Sequence, residues 1–184
     1  RYFEDKYQGM PKEGYTKMCE NMIKNNKIHI ILNTDYKEVI DDIEYEKLIY
    51  TGPIDYFYDN RFGKLLYRSL KFVTETHDLD SYQEVAVVNY PNDHDFTRIT
   101  EFKKLTGQEY PNKTIIMKEY PGFDDEPCYP YPTEEYKNKF KQYKKLMDKE
   151  NDVIFIGRLA EYKYYNMDLV VKSALNAFKN KIKE

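Results

Sequence analysis

Residues 84–119 read EVAVVNYPNDHDFTRITEFKKLTGQEYPNKTIIMKE. This stretch contains three short runs with the composition of strands: Glu84–Asn89, Arg98–Lys103 and Thr114–Glu119. A similar run, Leu66–Thr74, precedes them, and the links between all four are polar and rich in turn-forming residues. Parallel neighbours require a crossover of a dozen or more residues, usually helical, and no such pattern intervenes. The stretch therefore predicts an antiparallel sheet.

Helices are predicted after this sheet. Apolar residues recur at helical spacing over 133–147, and again over 167–180, where Asn166 is a favourable N-cap. Three other short apolar runs have strand composition: Ile28–Leu32, Leu48–Tyr50 and Val153–Ile156. The sequence thus predicts an α+β fold, an antiparallel sheet with flanking helices.

Composition narrows the class of protein. The 184 residues carry a net charge of −3, which argues against a nucleic-acid binder. No apolar stretch approaches the ~20 residues of a membrane span, so no membrane partner is expected. Cys19 and Cys128 are far apart, which favours free thiols in a reducing, cytoplasmic setting. Because the chain begins at Arg1 rather than methionine, we expect it to be a fragment of a longer protein.

Several catalytic patterns are missing from the sequence. It contains no phosphate-binding P-loop, no Gly-x-Gly-x-x-Gly and no Gly-x-Ser-x-Gly, and its three histidines are isolated from one another. These features give no support to a hydrolase or a metalloenzyme, and no metal is expected. The 20 tyrosines suit a sugar or nucleobase site, but they equally suit half-buried strands, which composition alone favours.

Two segments carry residues with binding chemistry. A hairpin between the second and third predicted strands would bring Asn89 and Arg98 to one end of the sheet, where the planar guanidinium of Arg98 suits a diphosphate. A solvent-facing arginine is the alternative, and these residues alone favour it. The second segment is Gly157-Arg158-Leu159, then an aromatic loop and a helix from about Met167. A helix N-terminus stabilises phosphate or an anionic flavin edge, although an ordinary capped helix is an equally good interpretation.

Six segments, taken in order, resemble the bacterial UDP-galactopyranose mutases. The most distinctive is Tyr50-Thr51-Gly52-Pro53-Ile54-Asp55. The other five are Gln8-Gly9-Met10-Pro11-Lys12 with Gly14-Tyr15-Thr16; Arg61-Phe62-Gly63 with Tyr67-Arg68-Ser69-Leu70; Asn89-Tyr90 through Thr97-Arg98-Ile99; Glu126-Pro127 with Tyr129-Pro130; and Gly157-Arg158-Leu159-Ala160-Glu161-Tyr162. The resemblance covers nearly the whole chain and identifies it as the C-terminal half of such an enzyme.

The resemblance implies a function and a domain plan. The enzymes interconvert UDP-galactopyranose and UDP-galactofuranose, a precursor of cell-surface polysaccharide, through a covalent adduct between the sugar and N5 of reduced FAD. By this resemblance, residues 1–47 and 64–150 form mainly the substrate-binding antiparallel sheet domain. Residues 48–63 and 151–184 are segments of a flavin-binding Rossmann-type domain, to which a C-terminal strand, loop and helix return. The N-terminal Rossmann part is absent. A homodimer or higher homo-oligomer is implied for the parent.

The resemblance also assigns residues, with UDP-galactose as substrate and FAD as cofactor. Substrate-binding positions are Tyr2, Asn89, Arg98, Glu119, Tyr129, Tyr164 and Asn166. Flavin-binding positions are Gly52, Pro53, Gly157, Arg158, Met167 and Asp168. No side chain is implied as the nucleophile, because N5 of the flavin has that role. Three residues depart from the usual pattern, namely Asn166 for Asp, Phe96 for Tyr and Cys128 for Tyr.

Two other functions stay open. One is another FAD-dependent oxidoreductase on a related scaffold. The other is a non-enzymatic nucleotide-sugar-binding domain. Because the Rossmann glycine turn that holds the ADP half of FAD is absent from the chain, we expect the 184 residues alone to be colourless and inactive.

Overall fold

The computed structural model describes residues 4–123 and 126–182. The chain divides into two compact units. The first unit comprises residues 1–41 and 72–120, and the second comprises residues 42–71 and 121–184.

The described residues contain the following regular elements. The helices are α1 (Gly14–Met22), α2 (Tyr36–Val39), α3 (Ile54–Phe57), α4 (Phe102–Thr106), α5 (Glu134–Met147) and α6 (Met167–Ala177). A 3₁₀ turn, Ile40–Asp42, follows α2, and a π-helical turn, Phe178–Ile182, follows α6. The strands are β1 (Leu48–Tyr50), β2 (Tyr67–His77), β3 (Val87–Asn89), β4 (Arg98–Glu101), β5 (Thr114–Gly122), β6 (Pro127–Pro130) and β7 (Val153–Phe155).

Five strands form one antiparallel sheet in the order β3-β4-β5-β2-β6. Asn89 of β3 lies opposite Arg98 of β4, and Arg98 lies opposite Glu119 of β5. Ile99 and Ile116, which share one face of β4 and β5, are buried at 2% and 0% exposure. The predicted antiparallel sheet is confirmed, as is the α+β class.

The structure corrects several strand limits. The run predicted as Arg98–Lys103 ends at Glu101, and Phe102 begins α4. This short helix closes on Gly107, whose φ of +68° forms a left-handed C-cap that glycine adopts without strain. The strand predicted from Glu84 begins only at Val87.

Two other segments differ from the predictions. Residues 127–130, predicted as loop, form the edge strand β6, a position that tolerates proline because one side of the strand needs no ladder bonds. Residues 28–32, predicted as a strand, are not part of one. Their isoleucines and leucine are 45–76% exposed, so this apolar run has no sheet neighbour among the described residues.

The core of the second unit is aromatic. Tyr143 of α5 is fully buried among Ile54, Leu65, Tyr67 and other apolar residues. Its hydroxyl donates to the Gly63 carbonyl at 2.9 Å and accepts the Phe62 N–H at 3.1 Å. Buried tyrosine hydroxyls require such partners, and they tie α5 to the turn before β2. The predicted helix over 133–147 is confirmed.

The second unit also contains a small parallel sheet. β1 pairs with β7 in the register Leu48↔Val153 to Tyr50↔Phe155. It has two strands among the described residues. Parallel sheets normally have both of their faces covered by other elements. The predicted strands at these positions are confirmed.

Helix α6 confirms the predicted C-terminal helix and exposes apolar side chains. Met167, Val171, Leu175 and Phe178 recur at helical spacing and are 50–57% exposed. An amphipathic helix usually turns such a stripe inward. Within the described part of the chain, this stripe faces solvent.

Candidate functional site

Three adjacent strands bring Asn89, Arg98 and Glu119 together in the first unit. Arg98 Nε donates to Asn89 Oδ1 at 3.0 Å, and Nη1 lies 3.4 Å from both carboxylate oxygens of Glu119. The contacts follow from the register, because residues directly opposite each other on antiparallel strands share a face. The hairpin predicted to join Asn89 and Arg98 is thus confirmed, and Glu119 joins them.

The guanidinium of Arg98 is held along one edge and open along another. Its side chain is 46% exposed, whereas that of Glu119 is 11% exposed. The bonds to Asn89 and Glu119 use Nε and Nη1, so Nη2 lies outside them. At 3.4 Å, the bonds to Glu119 are longer than a charge-assisted hydrogen bond usually is. The arrangement presents an oriented cation that retains capacity for an anionic ligand.

An aromatic cluster packs beside these strands. Phe96 stacks on His94 with ring centroids 4.6 Å apart and also contacts Tyr90 and Tyr120. Lys118 Nζ lies over the Phe96 ring at 5.5 Å. Because Lys118 and Tyr120 alternate with Glu119 along β5, they lie on the opposite face from the Arg98 group. Phe96 therefore supports the sheet from behind, a role that needs no tyrosine hydroxyl.

A second group of predicted residues meets in the second unit. The rings of Tyr129 and Tyr164 are 5.7 Å apart and nearly perpendicular. The Arg158 guanidinium lies 5.0 Å above the Tyr164 ring, and its Nε donates to the Tyr165 carbonyl at 2.7 Å. Tyr164 is 59% exposed. This group combines an oriented cation with an exposed phenol, both suited to an anionic ligand.

Gly157 adjoins Arg158 and has a left-handed backbone. Its φ is +97°, and no atom of a described residue other than its chain neighbours lies within 4 Å of the place where a Cβ would be. Its N–H donates to Glu161 Oε2 at 2.9 Å. The backbone conformation favours glycine, and the open space beside it allows a ligand to approach the main chain.

At position 52 the need for glycine comes from lack of space rather than from the backbone conformation. A Cβ at this position would lie 2.6 Å from the Tyr50 hydroxyl oxygen, which itself donates to the Pro53 carbonyl at 3.0 Å. Packing of Tyr50 therefore accounts for glycine at 52. The flavin contact expected of Gly52 and Pro53 stays a prediction.

The start of α6 carries the remaining predicted residues. Asn166 occupies the N-cap position in extended conformation, but its side chain makes no capping bond. Asn166, Met167 and Asp168 are all exposed. Asn166 lacks the charge of the Asp expected by resemblance, so any anionic role at this position is lost, whereas the N–H groups of the first helical turn are retained. Tyr2 lies outside the described residues.

Two residues with site chemistry were missed from the sequence. Arg68 lies over the rings of Phe123 and Tyr131 at 5.5 and 5.7 Å, and its buried Nε has no hydrogen-bond partner among the residues that the structure describes. Glu101 is a carboxylate with 0% exposure. Arg68 lies inside one of the segments that resemble the family, so the sequence could have marked it as a candidate site residue. No feature of the sequence marked Glu101.

The described residues contain neither a metal-binding cluster nor a membrane-spanning helix. Over residues 4–123 and 126–182, no group of three or more His, Cys, Asp or Glu is arranged to hold a metal ion. Within the same ranges, no helix is long and apolar enough to cross a bilayer.

Both arginine groups, one held by an amide and a carboxylate and the other packed on a tyrosine, have the chemistry that suits phosphate oxygens. The family is shown by comparison with known proteins. Residues 1–164 match the model of the family described as UDP-galactopyranose mutase. The chain therefore belongs to the UDP-galactopyranose mutase family.

Individual relatives agree with this membership. The chain is 38% identical over 179 residues to a probable UDP-galactopyranose mutase of Klebsiella pneumoniae, covering 95% of the chain and 46% of the relative. It is 36% identical over 188 residues to the UDP-galactopyranose mutase of Mycoplasma genitalium, with coverage of 92% and 46%. It is also 33% identical over 183 residues to the dTDP-fucopyranose mutase of Escherichia coli, with coverage of 95% and 48%. The chain spans about half the length of these relatives.

Proposed function

We propose that this chain is the substrate-binding part of an enzyme that interconverts UDP-galactopyranose and UDP-galactofuranose with reduced FAD. The observation that carries the proposal is the cluster of Arg98, Asn89 and Glu119 on three adjacent strands. Family membership supplies the reaction, and the cluster supplies a group suited to the substrate.

Arg98 is the proposed diphosphate ligand. A guanidinium presents N–H groups in a planar fork that matches two phosphate oxygens. Asn89 orients this fork through Nε, while Glu119 holds Nη1 by bonds long enough to yield to a doubly charged ligand. Neutralising the diphosphate also favours departure of UDP from the anomeric carbon, because negative charge develops on UDP as that bond breaks.

Tyr129 and Tyr164 are proposed to donate hydroxyl bonds to a phosphate-bearing ligand. Their perpendicular packing restrains both rings, and the cation of Arg158 restrains Tyr164 further. Restrained donors lose little rotational freedom on binding, which favours affinity.

The residues present also fit one part of FAD. Gly157 leaves its backbone open, and Arg158 is held in place by the Tyr165 carbonyl, so both are suited to a pyrophosphate. The uncapped first turn of α6 presents N–H groups suited to an anionic ring edge. When bound, reduced FAD supplies the nucleophile for the exchange of ring forms.

The parallel pair β1–β7 and helix α6 are proposed to complete a flavin-binding Rossmann-type domain. A two-stranded parallel sheet has too few neighbours to bury both faces, and the apolar stripe of α6 faces solvent. The part of the relatives that this chain does not span is the expected cover. It is also the expected carrier of the glycine turn that holds the ADP half of FAD.

A second substrate is favoured by one specific observation. The relative from Escherichia coli is a dTDP-fucopyranose mutase and is nearly as similar to the chain as the others. The assay must therefore offer both nucleotide sugars. Faster turnover of dTDP-fucopyranose would keep the reaction and change the substrate.

The test is a chimaera that joins this chain to the part of the Klebsiella pneumoniae relative that it does not cover. We expect the purified chimaera to show flavin absorbance and, once reduced, to contract UDP-galactopyranose. A matched preparation of the 184-residue chain should be colourless and inactive. A flavin-loaded chimaera that oxidises its substrate instead would favour an oxidoreductase. Flavin-free binding of UDP-galactose by the chain alone would favour a non-enzymatic binding domain.

A further inference from the structure

Glu101 is a buried carboxylate that the proposed reaction does not use. It ends β4, three residues after Arg98, and is 0% exposed. Because side chains alternate along a strand, Glu101 and Arg98 lie on opposite faces of the sheet. Glu101 therefore does not contribute a ligand to the Arg98 group. Burying a carboxylate is costly unless it is well hydrogen-bonded, so Glu101 is expected to have donors around it.

The partners of Glu101 come from two neighbouring segments. Its Oε1 accepts the Thr114 hydroxyl at 2.6 Å and the Tyr82 N–H at 3.1 Å, and its Oε2 accepts the Gln83 N–H at 3.1 Å. The ammonium of Lys104 lies 3.7 Å from Oε2. Burial by itself raises the pKa of Glu101, but these donors outweigh it and hold the pKa below its ordinary value. The charged carboxylate is thus the form that fits.

The segment held by Glu101 leads directly into β3. Gln83 Nε2 donates to the carbonyls of Ala86 and Ile99 at 3.0 and 3.3 Å. The Glu101 N–H also donates to the Ala86 carbonyl, at 2.8 Å. Side chain and main chain of Glu101 therefore both fix the residues that precede Val87, the first residue of β3.

β3 needs such fixing. It has three residues, lies at the edge of the sheet and, of the described strands, pairs with β4 alone. None of its three residues is buried, so burial specifies its register only weakly, and a slip of one residue turns each side chain to the other face. Such a slip would carry Asn89 away from Arg98, with which it now shares a face.

We infer that Glu101 is a positioning residue for the Arg98 site. Its carboxylate sets the register of β3 and thereby places Asn89 Oδ1 against Arg98 Nε. The role of Arg98 as a substrate ligand rests on the proposed function. The placement of its side chain through Glu101 does not.

The test uses the 184-residue chain and the ¹⁵N signal of the Arg98 side-chain Nε–H, assigned by its loss in Arg98→Lys. Glu101→Gln keeps the size of the side chain but offers one acceptor oxygen where the native residue offers two. The Nε–H signal should move to the position seen in Asn89→Ala, and its exchange with water should become about tenfold faster as the bond is lost.

Glu75→Gln is the matched control. Glu75 is another charged carboxylate of the first unit, bonded to Lys118 at 2.6 Å and to His77 at 3.2 Å. Among the described residues, the hydrogen bonds of its carboxylate do not reach residues 82–86. It should leave the Arg98 signal unchanged. If Glu101→Gln does not fold, Thr114→Val removes only the 2.6 Å bond to the carboxylate and should shift the signal in the same direction.

A folded Glu101→Gln or Thr114→Val chain with the native Arg98 signal would overturn the inference. So would an equal shift in Glu75→Gln, because the effect would then be general loosening of the unit. The readout requires no substrate. A failure here therefore leaves the mutase proposal standing, and a failure of the mutase proposal leaves this result standing.

Discussion

Replacing Tyr143 with Phe removes one buried hydroxyl and nothing else. The side chain is fully buried, and its ring contacts with Phe62 and Tyr58 do not depend on the hydroxyl. The lost oxygen leaves the Gly63 carbonyl and the Phe62 N–H without their bonds of 2.9 and 3.1 Å. Tyr143→Phe is therefore a direct measure of how strongly α5 is tied to the turn before β2.

The expected loss of stability follows from the two backbone groups that lose their hydrogen-bond partner. A buried polar group that loses its partner costs about 1–3 kcal/mol. Gly63 is exposed and Phe62 half-buried, so water recovers part of this cost. We expect the free energy of unfolding to fall by about 1–2 kcal/mol, which lowers Tm by roughly 2–8 °C for a chain of this size.

The assay is urea unfolding followed by circular dichroism, with Tyr58→Phe as the matched control. The Tyr58 hydroxyl donates to Glu150 at 3.3 Å in an exposed setting, so its loss should cost less than about 0.5 kcal/mol. Equal stability of Tyr143→Phe and the native chain would refute the reasoning. So would a larger loss in the control than in Tyr143→Phe.

Two other predictions concern stability. Burial raises the pKa of Tyr162 to about 12 from an unfolded value of about 10, so the unfolded chain releases its proton first. Stability should hold below pH 10 and fall as pH rises from 10 to 12. Tyr162→Phe should flatten that fall, and a slope as steep as in Tyr7→Phe, an exposed control, would contradict the assignment. Gly52→Ala should destabilise the chain by about 1–3 kcal/mol because its Cβ would displace the buried Tyr50 ring, whereas Gly9→Ala, where no atom lies within 4 Å of the added Cβ, should change the unfolding midpoint little.

The sheet was predictable because its links are polar and its strands are short and apolar. The observed elements differ from the predicted ones where tertiary contacts override the local sequence pattern. Phe102 and Lys103 continue the strand composition of β4, yet they turn into α4, where Lys103 Nζ donates to the carbonyls of Tyr110 and Lys113. Those partners lie 7 and 10 residues further along the chain, so the local pattern does not contain them.

The other differences between predicted and observed strands depend on whether a segment has neighbouring strands. Prolines made Pro127–Pro130 resemble a loop, but an edge strand tolerates them. Ile28–Leu32 has the composition of a strand without a neighbour in the described residues, and composition does not reveal whether a neighbour is present.

The candidate site was predictable in part. The hairpin brought Asn89 to Arg98 from local pattern alone, but Glu119 entered only through the family resemblance, because it lies 21 residues beyond Arg98 in the chain. The role of Glu101 was not predictable. Its importance lies in donors from Tyr82, Gln83 and Thr114, which only the folded chain assembles.

The central claim is that Arg98 binds the diphosphate of a nucleotide sugar in a flavin-dependent mutase. The most direct measurement is the catalytic efficiency of the reduced chimaera on UDP-galactopyranose and dTDP-fucopyranose, with Arg98→Ala and Lys163→Ala compared. Removing charge-assisted bonds worth about 1.5–3 kcal/mol each should lower kcat/KM of Arg98→Ala at least about tenfold while flavin stays bound. Lys163 lies over the Tyr165 ring in the second unit, and its loss should change kcat/KM less than about threefold. Near-native efficiency in a flavin-loaded Arg98→Ala chimaera would contradict the account.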